Sequence, residues 1–171
     1  MWHSNKMETV CTKIREECIR INENKFTLVI ILTYLKQGPE FVESALKYIQ
    51  SLNIEDPVNK EAALKFLHLY INPDILYKKA LMTYDLELAL MTAQITSKDP
   101  KEYIAYLEKL ESLEVPYRHF IIEKDLKNYL IALKHLINCG VEHEQECVEF
   151  IKTRDLCKEA LDLIPKHSEK L

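Results

Sequence analysis

Two histidines and two cysteines recur every four residues late in the chain, at His135, Cys139, His143 and Cys147. Imidazole nitrogens and thiolates are ligands that zinc prefers, and a structural zinc site needs four ligands that converge tetrahedrally. Residues four apart share one face of a helix, so each His–Cys pair could coordinate from one helix. The two pairs would then have to meet across Gly140, and the spacing matches no known structural zinc motif. We therefore interpret both cysteines as small buried apolar residues, and we predict neither a metal nor a cofactor.

A set of basic residues points to a different chemistry, which is contact with RNA phosphates or with a protein partner. Three of them fall in one sector of a single long helix predicted after Val115-Pro116, and the fourth precedes them by one turn: Lys124, Lys127, Lys134 and Arg118. Glu123 and Asp125 lie beside these lysines, and no aromatic platform is interleaved with them. A solvated lysine face is therefore the favoured interpretation, with contact to RNA or a partner as the alternative.

The sequence contains no recognisable catalytic motif. Its two glycines, Gly38 and Gly140, stand alone, which excludes a glycine-rich phosphate-binding loop. No Cys–His nucleophile signature is present either. Adjacent acids such as Glu16 and Glu17 are typical of a solvated helix face. We predict that the chain is not an enzyme.

Composition favours helices in a single cytosolic domain. The 171 residues include only two glycines and six prolines, and this length can bury a sizeable core. A net charge of −4 with a pI near 5.9 gives no global electrostatic footprint for nucleic acid. The most apolar run, residues 26–35, is far shorter than the ~20 residues that cross a bilayer, so no membrane span is predicted. The five cysteines are predicted to be reduced and mostly buried.

Start and stop signals divide the chain into about ten helices. Asp99 and Glu102 form a D-x-x-E capping box around Pro100. A long periodic run after Pro116 is predicted to be one helix, ended by a left-handed cap at Gly140; its apolar residues are Ile122, Leu126, Tyr129, Leu130, Leu133, Leu136 and Ile137.

The N-terminal third follows the same scheme. A helix over 8–21 is predicted to turn at residues 22–24 and to continue as a buried helix over 26–35, with a break at Gly38-Pro39. An Ala-Leu step recurs at 45–46, 63–64, 80–81, 132–133 and 160–161. The first three steps are 18 and 17 residues apart. Two such intervals make 35 residues, which is close to the ~34-residue period of tetratricopeptide repeats. We predict an all-α fold, a right-handed stack of antiparallel helix pairs forming a TPR-like α-solenoid.

Several strings in the second half resemble a known family. They are TYD at 83–85, DPKEY at 99–103, YRHF at 117–120 and HLINCG at 135–140. In this order they resemble the C-terminal helical region of the largest subunit of the Elongator complex, the IKAP family. The match is centred on 83–164, is weaker over 7–82 and leaves 165–171 as a polar tail, so the chain is predicted to be one helical-repeat segment. Asn128 stands where the family tends to carry a basic residue, and Leu130-Ile131 replace a charged pair.

The resemblance implies a scaffold role rather than catalysis. In that family the large subunit supports modification of wobble uridines in tRNA, on the pathway to 5-methoxycarbonylmethyl-2-thiouridine. The chemistry belongs to a radical-SAM acetyltransferase subunit. The implied partners are that subunit, the WD40 subunit and a second copy through the family's C-terminal region, with tRNA contacted indirectly. The implied location is the cytoplasm, with the nucleus as a second site.

Two other functions remain open on the sequence. One is a free-standing helical adaptor for other proteins, and the other is a helical module that contacts RNA directly. A scaffold segment predicts exposed apolar surface at its ends, whereas an independent adaptor predicts polar capping helices there.

Overall fold

A computed structural model describes residues 2–52 and 57–163, with side chains described for 6–52 and 60–163. The predicted polar tail, 165–171, lies outside the described residues. Ten α-helices make up the described part, which contains no strand, and this confirms the all-α prediction. The helices are α1 Trp2–Gln37, α2 Val42–Ser51, α3 Pro57–His68, α4 Pro73–Leu81, α5 Leu86–Ile95, α6 Pro100–Glu111, α7 Val115–Asp125, α8 Tyr129–Ile137, α9 Glu144–Arg154 and α10 Cys157–Leu163. Among the described residues, no helix combines the length and apolar character that crossing a membrane requires.

The chain divides into two compact units, Met1–Ile104 and Ala105–Leu171, with the boundary inside α6. The prediction of one continuous repeat segment over all 171 residues stays a prediction. Two 3₁₀ turns, Pro39–Phe41 and Val141–His143, lead into α2 and α9.

In the first unit, α1 reverses direction at Asn22. This residue is non-helical, with φ −169° and ψ 99°, and its side-chain oxygen accepts a hydrogen bond from the Lys25 N–H at 3.0 Å. That is the arrangement of an N-cap, so a second helical stretch begins after it. Arg15 donates to Thr33 Oγ1 at 3.1 Å, although a straight helix would separate these residues by about 27 Å. Residues 2–21 and 23–37 therefore fold back on each other, which confirms the predicted turn.

The core of this unit is built by the predicted repeat. The Ala-Leu pairs of α2, α3 and α4 are all buried, at Ala45-Leu46, Ala63-Leu64 and Ala80-Leu81. Besides its neighbours in sequence, α2 contacts α4 and α3 contacts α5. The second half of α1 buries Ile30 and Ile31 in the same core but exposes Leu28 and Val29, so it is buried on one face only.

In the second unit, the prediction of one long helix after Pro116 is wrong. The helix ends at Asp125, and a new helix starts at Tyr129 after Lys127 adopts a φ of 64°. The apolar spacing continues in step through this turn, because α7 and α8 bury their apolar faces against each other. The predicted cap at Gly140 is wrong as well. Helix α8 already ends at Ile137, and Gly140, with φ 91° and ψ −176°, precedes the second 3₁₀ turn.

Three helices end on a left-handed residue that is not glycine. These residues are Ser97, Lys127 and Asp155, with φ of 54°, 64° and 54°. After each one, the next N–H bonds back to a carbonyl five residues earlier, as Asn128 does to Glu123 at 2.8 Å. This is the Schellman motif, which glycine usually completes. At the start of α6, the Asp99 carboxylate accepts from the Lys101 N–H at 2.9 Å, so the predicted cap acts one residue earlier than expected.

We predict that Lys127→Gly stabilises the second unit by about 1 kcal/mol, because glycine adopts left-handed backbone without the steric cost of a Cβ. The control is Lys109→Gly inside α6, where glycine should cost about 1 kcal/mol. Urea unfolding followed by circular dichroism measures both. Equal destabilisation by both changes would show that Lys127 does not adopt left-handed backbone.

Candidate functional site

The structure divides the four predicted basic contact residues between two helices and the turn that joins them. Arg118 and Lys124 lie on α7, Lys127 lies in the turn, and Lys134 lies on α8. They therefore do not share one sector of a single helix, contrary to the sequence interpretation. The Lys124 ammonium sits 4.9 Å from the centre of the Phe120 ring, whereas Lys127 and Lys134 are exposed. Contact of these residues with RNA or a partner stays a prediction.

Arg118 has a structural role that the sequence did not indicate. Its Nε donates to the Leu110 carbonyl at 2.8 Å, and its Nη2 donates to the carbonyls of Glu111 and Leu113 at 3.0 and 3.1 Å. The last carbonyls of a helix have no partner within that helix. The guanidinium of Arg118 therefore closes the C-terminal end of α6 and fixes the start of α7 against it.

A second group of polar side chains joins α7 to α9. The ring of Tyr117 stacks on that of His143 with centroids 4.3 Å apart, and its hydroxyl donates to Glu146 Oε1 at 3.2 Å. The other carboxylate oxygen of Glu146 lies 3.3 Å from His143 Nδ1. Burial raises the pKa of Tyr117, and its hydrogen bond to Glu146 raises it further. We call these three residues the Tyr117 cluster; their polar atoms engage one another.

The four predicted metal-ligand candidates are held in different surroundings. His143 belongs to the Tyr117 cluster, and the His135 ring meets His119 edge-on at 5.1 Å. The Cys139 thiol donates to the His135 carbonyl at 3.2 Å. In the part of the chain that the structure describes, no three His, Cys, Asp or Glu side chains are grouped to hold a metal ion.

The two thiols of this region are held in their protonated form. Burial raises the pKa of Cys139 to about 11, with a further contribution from the Glu146 carboxylate. Burial also raises the pKa of Cys147. The thiolate is the form that attacks electrophiles and binds metals, so neither group is activated at neutral pH. The prediction that the five cysteines are mostly buried is wrong: Cys11 is buried, Cys18, Cys139 and Cys147 are half-buried, and Cys157 is exposed.

The α7–α8 hairpin also encloses a carboxylate that sequence reasoning missed. Glu123 is 1% exposed, and its Oε2 accepts a hydrogen bond from Asn128 Nδ2 at 2.7 Å. Burial lowers the pKa of both His119 and His135, while Glu123 partly opposes this for each. The sequence offered no signal for this site, because Glu123 stands between charged and apolar residues like any surface glutamate.

Comparison with known proteins connects this architecture to a family. A family model described as the ELP1 alpha-solenoid matches residues 1–110. Relatives named Elongator complex protein 1 include those of Oryctolagus cuniculus, 37% identical over 170 residues, Mus musculus, 39% over 163, and Saccharomyces cerevisiae, 32% over 171. The three alignments cover 96%, 92% and 98% of this chain but only 13%, 12% and 12% of the relatives. The resemblance predicted from residues 83–164 thus extends through the first half as well.

We predict that Arg118→Lys destabilises the second unit by about 1–2 kcal/mol, since lysine keeps the charge but cannot reach three carbonyls in a fixed fork. The matched control is Lys134→Arg on α8, which should change stability by less than about 0.5 kcal/mol. Thermal unfolding measures both. A neutral Arg118→Lys would mean that the arginine serves only as a surface charge.

We also predict that the α7–α8 hairpin weakens in mild acid. Both histidine pKa values are lowered in the folded chain, so the unfolded chain binds more protons once the pH falls below about 6.5. Stability should therefore fall as the pH drops from about 7.5 to about 5.5. The double variant His119→Gln with His135→Gln should lose less over that range in urea unfolding. An equal loss in both proteins would show that these histidines do not carry the effect.

Proposed function

The chain belongs to the Elongator complex protein 1 family, and we propose that it serves as a non-catalytic α-solenoid segment presenting helical surfaces to other Elongator subunits. The observation that carries the proposal is the 32–39% identity to these relatives over 92–98% of the chain. Because the chain spans about an eighth of the length of these curated relatives, their activity and partners come to it only as part of this proposal.

The arrangement of the polar side chains supports a structural role. The Tyr117 cluster satisfies its own polar atoms, Arg118 is engaged with three backbone carbonyls, and Cys139 has a raised pKa. Each of these groups is occupied by contacts within the second unit. From the family resemblance we further propose that the chain supports modification of wobble uridines in tRNA, with the reaction carried out by the radical-SAM acetyltransferase subunit.

The partners proposed for this segment are the radical-SAM acetyltransferase subunit, the WD40 subunit and a second copy of the large subunit. The proposed location is the cytoplasm or the nucleus.

Direct binding of RNA has less support than protein contact, because Arg118 already donates to three carbonyls and the lysines do not form one continuous stripe. A free-standing helical adaptor is the remaining alternative.

The test is co-expression of the tagged chain with the Elongator subunits of its own source, followed by affinity capture and mass spectrometry. We expect the other subunits to be recovered with the wild-type chain. The control variant, Leu46→Asp with Leu133→Asp, places a charge at a fully buried position in each unit and should unfold both. Capture of the subunits by both proteins would indicate non-specific retention.

A parallel measurement addresses RNA. Binding of tRNA should be weak and should not differ between the wild type and Lys124→Glu with Lys134→Glu. Tight binding that falls steeply with salt and is lost in the double variant would favour the RNA-contacting module instead. A folded wild-type chain that captures none of the subunits would favour the adaptor.

A further inference from the structure

The first half of α1 carries an apolar stripe that its own unit does not cover. Met7, Val10, Ile14 and Ile21 are 50%, 45%, 43% and 63% exposed. Steps of three, four and seven residues place these side chains along one side of the helix over about 21 Å. Cys11 and Arg15 face the second half of α1 instead: Cys11 is buried, and Arg15 reaches Thr33 and Gln37. The stripe therefore lies beside the intramolecular contact and outside it.

A row of positive charge follows one edge of this stripe. Lys6, Lys13 and Arg20 are exposed and stand seven residues apart, so they share one helical position next to the apolar side chains. Glu17 lies between Arg20 and the stripe, and its carboxylate pairs with the Arg20 guanidinium at 2.6 Å. The edge keeps a net charge of about +2 by this count, on a chain whose net charge is −4. The positive row is thus a local feature that the overall composition does not explain.

We propose that this stripe and its basic edge are a docking site for an amphipathic helix of a partner protein, one whose apolar stripe is flanked by acidic residues. Helices recognise one another by burying apolar stripes, and charged residues at the edges of the stripes select the partner. The inference names a surface for the proposed scaffold role and rests on that proposed function. It fixes the chemistry of the occupant, which carries aliphatic side chains opposite Ile14 and carboxylates opposite Lys6 and Lys13.

The same charges argue against a second copy of the chain as the occupant. In an antiparallel helix pair, residues at the same edge position approach one another, so antiparallel self-pairing would bring the basic edges together. Opposing like charges disfavour such a pair. An acidic partner helix replaces this repulsion with ion pairs to Lys6 and Lys13, whereas Arg20 is already paired with Glu17.

The experiment uses the whole chain and two synthetic helical peptides of about 20 residues, long enough to span the stripe. Both peptides carry the same leucine stripe; one is flanked by glutamates and the other by lysines. Fluorescence anisotropy measures their binding at low salt and at about 0.5 M salt, where charge contacts are screened. We expect the glutamate peptide to bind at least about tenfold more tightly than the lysine peptide at low salt, with the difference shrinking at high salt.

Two variants of the stripe and two matched controls locate the binding. Ile14→Ser and Lys13→Glu should each weaken binding of the glutamate peptide by about fivefold or more. Ile75→Ser, which removes an exposed aliphatic side chain on α4, and Lys109→Glu, on α6, should leave binding within about twofold. All four positions are outside the described cores, and circular dichroism checks that each variant is folded.

Several results would overturn the proposal. These are equal binding of the two peptides, equal effects of the stripe variants and their controls, a dimer in sedimentation velocity that Ile14→Ser dissolves, or capture by phosphatidylserine vesicles through Ile14 without peptide binding. The last two would assign the stripe to a second copy or to a membrane. Failure of the peptide test with recovery of Elongator subunits in the capture experiment would remove this surface and leave the scaffold function intact.

Discussion

The closing of helix ends is the constraint on which this structure depends. Each of the ten helices in the described part of the chain leaves unpaired carbonyls at its C-terminus, and the sequence has only two glycines with which to cap them. It uses two substitutes. Ser97, Lys127 and Asp155 adopt left-handed backbone, and the Arg118 side chain reaches back to the end of α6. The turn angles that allow neighbouring helices to pack follow from these caps, so the helix ends determine the fold as much as the apolar faces do.

The close grouping of reactive side chains in the second unit is a consequence of that packing. Once the turn at Lys127 folds α8 onto α7, His119 meets His135 and Glu123 is enclosed with Asn128 as its partner. Polar groups removed from water must find partners, and here they find them in one another. Imidazole, carboxylate, phenol and thiol groups thus stand close together while holding helices in register. The same residue types at the same spacing would predict a metal centre or a nucleophile only if their lone pairs converged on a shared point.

Local sequence signals predicted most of the helix starts and the repeat. Prolines and Asn or Asp residues mark the starts of α4 and α6, Asn22 marks the reversal in α1, and the Ala-Leu steps mark the buried side of α2 to α4. The break between α7 and α8 could not be found in this way, because a left-handed residue at a helix end leaves the apolar spacing in phase. The role of Arg118 was equally hidden, since it depends on carbonyls that come within reach only after α7 has packed.

The two halves of α1 show how a helix can serve folding and recognition separately. The second half buries Thr27, Ile30, Ile31 and Thr33, so packing accounts for these residues, although it leaves Leu28 and Val29 exposed. In residues 6–21, whose side chains are all described, Cys11 alone is buried, yet aliphatic residues recur there with helical spacing. Exposed aliphatic side chains contribute little to the stability of an isolated unit, so core packing does not require this periodicity. A regular stripe beside a regular row of charge is what contact with another helix requires, and that contact must come from outside the unit.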